Sequence, residues 1–231
     1  MEQVITYDQD SSMDTWNNLF SKVYMKRFGK LFCFDKKYST GSPDAKRVYI
    51  QVNPDIVPNK CLLDFQIAGD CDFNFNDKKI EKMKQILGGE QNVLLEKCHQ
   101  FHHNLCNFSF MPRTGGMNNI KGTWLRQDDE ERFFDRLDLF IYEIHKYYEK
   151  RPSLLTRNNP TAIDWWFSNF KDVYDYCESV YLIHDKKFVD KLLEHSRKPL
   201  NSKDNIISYM NLALEYWDMK TKVLRDNGVI D

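Results

Sequence analysis

The stretch from Cys98 to Gly122, CHQFHHNLCNFSFMPRTGGMNNIKG, gathers side chains able to do chemistry into one short span. On a helix over residues 98 to 106, Cys98, His102 and Cys106 fall four apart on one face, and thiolate with imidazole suits zinc. A structural zinc site normally carries two close ligand pairs, and no fourth ligand is placed here. Buried thiols at a helix end are therefore the competing reading, and the sequence leads us to expect no metal and no other cofactor. His102 and His103 are the natural acid-base candidates, because imidazole titrates nearest neutral pH. Further along, Arg113 and Lys121 flank Gly115 and Gly116, whose unhindered backbone can turn N–H groups toward a phosphate. With Asn118 they form a candidate ligand-binding set, although neither GxxxxGK[ST] nor GxGxxG is present. A wide turn carrying two solvated basic residues is the alternative.

A second group lies in FFDRLDLF, where Asp135, Arg136 and Asp138 interrupt an apolar run. In helical register Asp135 and Asp138 share a face, so they can act as paired acid and base, or receive a cation from the preceding turn. Phe133, Phe134, Leu137 and Leu139 crowd around them, and buried charges need partners. An ion-pair lock between this helix and the turn is the reading preferred over catalysis. His145, His184 and His195 read as surface or satisfied core residues, and Trp165, off the face of Trp166, as a candidate partner anchor. There is no Gly-x-Ser-x-Gly elbow, and the lone cysteines have no defined histidine partner.

The elements that must position these residues follow from periodicity. A helix opened by Asp14 places Trp16, Leu19, Phe20, Val23 and Tyr24 on one side and stops at Gly29. KLFCFDK, RVYIQVN and CLLDFQIAG, separated by Gly41, Pro43, Pro54 and Pro58, read as short antiparallel strands. A helix from Asp77 sets Ile80, Met83, Ile86 and Leu87 together and ends at Gly88-Gly89. A second, from about 91 to 101, turns Val93, Leu94 and Cys98 inward. NLCNFSFMP alternates, with Cys106, Phe108 and Phe110 on one side and Asn107 and Ser109 on the other. It reads as a half-buried strand stopped by Pro112. Helices then run over about 128 to 150, over 161 to 182 behind a Thr161-x-x-Asp164 capping signal, over 185 to 195, and over 204 to 227 before Gly228. Strands first and helices later predict an α+β fold, a small antiparallel sheet against a C-terminal helical bundle, in a single domain of residues 1 to 231.

Bulk properties limit the function classes. The chain has 231 residues, 42% of them hydrophobic and 14% aromatic, which argues against a disordered chain. With 33 basic and 34 acidic side chains the net charge is −1, so no global positive field gathers nucleic acid. No apolar run is long enough to span a membrane, no signal-like N-terminus is present, and the six scattered cysteines read as free thiols, all pointing to a cytoplasmic protein.

Two resemblances can be traced through quoted residues. NLCNFSFMPRTGGMNNIKG resembles the strand-turn-helix centre of HNH endonucleases, but the Asp-His that should precede it is missing, and only His103 is left as a base. Phe110-x-Pro112, Asn118-x-x-Lys121-Gly122, Asp135-Arg136-x-Asp138-Leu139 and Tyr147-Tyr148 resemble an uncharacterised family of bacterial and phage proteins over residues 100 to 185. In that family the strand ends in Phe-Pro and arginine stands where this chain has Lys121. The resemblance implies a shared fold unit and a microbial or viral origin, with no activity to transfer. The expectation is a cytosolic binding or regulatory protein used in phage-bacterium conflict, acting on a macromolecule, a protein before a nucleic acid. The alternative is an enzyme acting on a phosphate ester or nucleic acid. Its acid-base groups would be His102, His103, Asp135 and Asp138, and its ligand-binding groups Arg113, Asn118, Lys121 and Arg136.

Overall fold

The computed structural model describes residues 18–38, 49–57, 65–89, 92–113, 136–156 and 160–231. The fold is α+β. Four antiparallel strands, β1 (Phe32–Tyr38), β2 (Tyr49–Val52), β3 (Gln66–Cys71) and β4 (Phe108–Arg113), form one sheet in the order β1-β2-β3-β4. The first helical segment is a π turn, Phe20–Tyr24, running into α1 (Met25–Phe28) and ending at Gly29. Between β3 and β4 lie α2 (Asp77–Leu87) and α3 (Asn92–Gln100). After β4 come α4 (Leu137–Tyr148), α5 (Pro160–Phe167), α6 (Val173–Tyr176) with its π extension Cys177–Tyr181, α7 (Lys186–His195) and α8 (Lys203–Asp226).

Short polar side chains start four of the described helices, because an N-terminus leaves N–H groups without intrahelical acceptors. Asn76 caps α2 through the Lys79 N–H, Asp172 caps α6 through Asp175, Asp185 caps α7 through Lys187, and Ser202 caps α8 through Asn205. Gly88 and Gly228 follow α2 and α8 at φ of 69° and 63°, a left-handed backbone that glycine adopts without steric cost. One continuous apolar core joins sheet and helices. Tyr24 lies on Phe110 with ring centroids 4.1 Å apart, Phe28 stacks on Trp166 at 5.9 Å, and Phe73 meets Tyr209, Tyr216 and Trp217.

Several expectations need correction. Val93 is 84% exposed and Leu95 takes the inward place with Cys98, because residues three apart share a helix face and the buried stripe of α3 runs through these two. Residues 105 to 107 form a 3-10 turn, not strand, since Asn104 accepts a hydrogen bond from the Cys106 N–H and bends the chain there. β4 is buried on both faces, with Asn107 and Ser109 enclosed, and Pro112 continues it opposite Ile67. An edge strand tolerates proline because the missing N–H faces away from the ladder. The single helix proposed over 161 to 182 is two, broken at Asp172, and Asp164 accepts from the Tyr147 hydroxyl, not from a helix start. Arg136 is extended (φ −129°, ψ 111°) and bridges to Phe73, so helix α4 begins at Leu137. Asp14, Trp16, Cys61, the strand residues before Phe65, Phe133 and Phe134 lie outside the described residues, as do the side chains of Phe20 and Cys33.

The β3 to β4 packing leaves one place with no room. A Cβ on Gly69 would stand 1.6 Å from the Phe108 ring. Gly69→Ala should therefore destabilise the fold by about 3 kcal/mol through overpacking, read as a lower urea midpoint at unchanged slope.

Candidate functional site

Of the residues nominated from sequence, the structure brings Arg136 and Asp138 together in the interior. Arg136 precedes α4, and its Nη2 donates to Asp138 Oδ2 at 2.6 Å while Nε donates to Oδ1 at 3.1 Å. The second arm also donates to the Lys198 carbonyl at 3.0 Å, and the guanidinium lies over the Tyr209 ring. A third member comes from α7. His195 Nδ1 is 2.8 Å from Asp138 Oδ2 and its Nε2 is 3.3 Å from the Asn205 carbonyl, with the ring stacked on Tyr209. All three side chains are buried, Asp138 at 0% exposure. Burial by itself would raise the Asp138 carboxyl, but the hydrogen bond from His195 and the charge of Arg136 outweigh it and hold the group below the usual carboxylate range.

Asp138 thus sits in a buried ion-pair cluster with Arg136 and His195, while the expected lock to the preceding turn falls on residues outside the described ones. The cluster joins α4 to α7 and to the start of α8. Asp135, Asn118, Lys121 and the rest of the turn lie outside the described residues, as does the side chain of Arg113.

His102 and His103 diverge. His103 is exposed, whereas His102 is buried and its Nδ1 accepts from the Phe75 N–H at 3.4 Å. Burial, reinforced by the neighbouring His103, lowers His102 to about 4. Neighbouring Asn107 has both ends engaged: its amide nitrogen donates to the Phe73 and His102 carbonyls, each at 2.7 Å, and its oxygen accepts from Phe73 N–H and Trp217 Nε1. These residues clamp the loop after β3 onto α8. The Cys98 and Cys106 thiols are also buried, each pushed up to about 12 by desolvation, opposite to what a thiolate ligand requires. Helix α3 ends at Gln100, so the four-residue spacing no longer aligns Cys106 with Cys98 and His102. Among the described residues no group of three or more His, Cys, Asp or Glu side chains is placed to hold a metal ion. Trp165 is half buried with its ring edge-on to Phe65, so it is not a free anchor.

Sequence reasoning missed the second interior cluster. Lys220 of α8 is 0% exposed and Asp72, just after β3, is 1% exposed. Their Nζ to Oδ2 distance is 3.0 Å, and Ser109 Oγ and Tyr216 Oη donate to the same Oδ2 at 2.8 and 2.6 Å. Desolvation lowers the proton affinity of Lys220, opposed by the Asp72 charge. A signal was present: Tyr209, Ala213, Tyr216, Trp217, Lys220 and Leu224 keep one helical stripe, so Lys220 stands at a core position.

Away from these clusters, a concave surface runs along α8, lined by Asp204, Ile207, Ser208, Asn211, Leu212 and Glu215, and among the described residues none of those nominated from sequence lines it. No helix among the described residues is long and apolar enough to cross a membrane. Comparison of the chain with family models, with curated proteins and with solved structures gave no match.

Two outcomes follow. Asp138→Ala leaves Arg136 and His195 buried without their shared acceptor and should cost about 3 to 5 kcal/mol in chemical denaturation. His102 is held neutral in the fold with a lowered value, so the unfolded chain binds the extra proton first. Its contribution should be fully present above the free value near 6.5, and should be lost as pH falls toward about 4. His102→Gln should flatten stability against pH across that window, checked by urea titrations at several pH values.

Proposed function

We propose that the chain is a cytoplasmic binding or regulatory protein, acting through contact with a macromolecule in conflict between bacterium and phage. One observation carries the reading. Arg136 and Asp138, the charged residues of the family-like motif, direct their hydrogen bonds to each other, to His195 and to the Lys198 carbonyl inside the core. Groups enclosed in this way hold helices in register, whereas an acid-base pair has to reach a substrate proton. The near balance of charge favours a protein partner over nucleic acid. The resemblance to bacterial and phage proteins supports the setting, although it supplies no activity.

The competing reading is hydrolysis of a phosphate ester or nucleic acid. It requires His102, His103, Asp135 and Asp138 around one cleft, and His102 and Asp138 are buried with no shared hydrogen-bond partner among the described residues.

Two measurements on the full chain separate the readings. Purified protein is expected to turn over neither nucleotides, RNA, DNA nor an aryl phosphate, and to retain a protein partner that rebinds when both are purified. Turnover that disappears in His103→Ala, a change at an exposed position, would overturn the proposal, as would failure to retain any partner from bacterial or phage-infected cells.

A further inference from the structure

The chemistry around Lys220 is unusual for an ion pair. Four oxygens crowd its Nζ: the Phe108 carbonyl at 2.6 Å, Tyr216 Oη at 2.9 Å, Asp72 Oδ2 at 3.0 Å, and Ser109 Oγ. An ammonium has only three protons to donate. The Ser109 and Tyr216 hydroxyls point their own protons at Asp72 Oδ2, so they present lone pairs to Lys220. With the Phe108 carbonyl and Asp72 Oδ2, four acceptors compete for three N–H groups, so one contact is left without a proton of its own. The other carboxylate oxygen, Asp72 Oδ1, is buried with no hydrogen-bond partner among the described residues. An ionised carboxylate with one oxygen left bare in an aromatic interior is an expensive arrangement.

We propose that Lys220 and Asp72 become joined by an intramolecular isopeptide bond. A proton passes from the ammonium through the Tyr216 hydroxyl to Oδ2, leaving a neutral amine facing a carboxylic acid. The Nζ lone pair attacks Cγ and the new C–N bond forms. The bond from Cγ to Oδ2 breaks, and Oδ2 leaves as water, carrying the first proton and a second one from Nζ. Oδ1 becomes the amide oxygen, and the one hydrogen kept on Nζ is directed at the Phe108 carbonyl. Nothing is oxidised or reduced, and no co-reactant is needed.

The enclosure favours each stage. Desolvation lowers the proton affinity of Lys220 and so raises the share of neutral amine. The product removes two buried charges and replaces a bare carboxylate oxygen by an amide carbonyl, which is less costly to bury. Ser109 and Tyr216 hold the leaving oxygen in place, as a positioned intramolecular reaction requires. The bond would close a loop between residues 148 apart in sequence, tying the end of β3 to α8.

Intact-mass measurement of the denatured full-length chain tests this directly. The expected mass is one water below the sequence value, and a tryptic digest should contain one branched peptide joining the Asp72 and Lys220 segments, with no cleavage after Lys220. Lys220→Arg and Asp72→Ala should each restore the unmodified mass, and Tyr216→Phe should leave a measurable uncrosslinked fraction. A wild-type mass equal to the sequence value, with normal cleavage after Lys220, would overturn the proposal, and that result does not depend on whether any variant folds.

Discussion

A cation placed where an apolar side chain would ordinarily sit governs how the sheet and the last helix meet. Lys220 occupies a core position of α8, and an ammonium removed from water must be surrounded by oxygens. The Asp72 carboxylate, the Ser109 and Tyr216 hydroxyls and the Phe108 carbonyl supply them from the end of β3, from β4 and from the preceding turn of α8 itself. Strand β4 is consequently buried on both faces, because the polar residue on its second face is needed inside. The position of α8 across the sheet is specified by charge and hydrogen bonding as well as by apolar area.

The same logic recurs along the backbone. Asp72 and Phe73 connect the Lys220 cluster to two others. The Asn107 amide grips Phe73 through both its N–H and its carbonyl, and Arg136 bridges to Phe73 in the backbone before turning its guanidinium to Asp138. The short loop after β3 thus lies between the sheet, the start of α4 and the middle of α8. Each cluster draws its members from segments far apart in sequence, so the polar groups specify one arrangement of helices among several that apolar burial alone would permit.

This use of the interior bears on function. Among the described residues, His102, Arg136 and Asp138, which looked like reactive groups, are enclosed and direct their hydrogen bonds to other parts of the fold.

Much of the architecture could be read from the chain, because helix and strand patterns are local. The α+β class, four strand regions, and the helices ending near Leu87, His195 and Asp226 follow from spacing, glycines and caps within a few residues. That Asp138 would be buried and paired was also legible, from the aromatic and leucine neighbours around it. Its partner was not, because His195 lies 57 residues away and only the packing of α7 on α4 brings it within 2.8 Å. Alternation in β4 suggested that Ser109 faced water, whereas α8 covers that face and makes it a ligand for Lys220. Composition and periodicity determined which segments are helix or strand and which faces are apolar. Only the tertiary structure decided that His195 meets Asp138 and that Lys220 meets Asp72, since those partners lie 57 and 148 residues apart and local sequence carries no record of them.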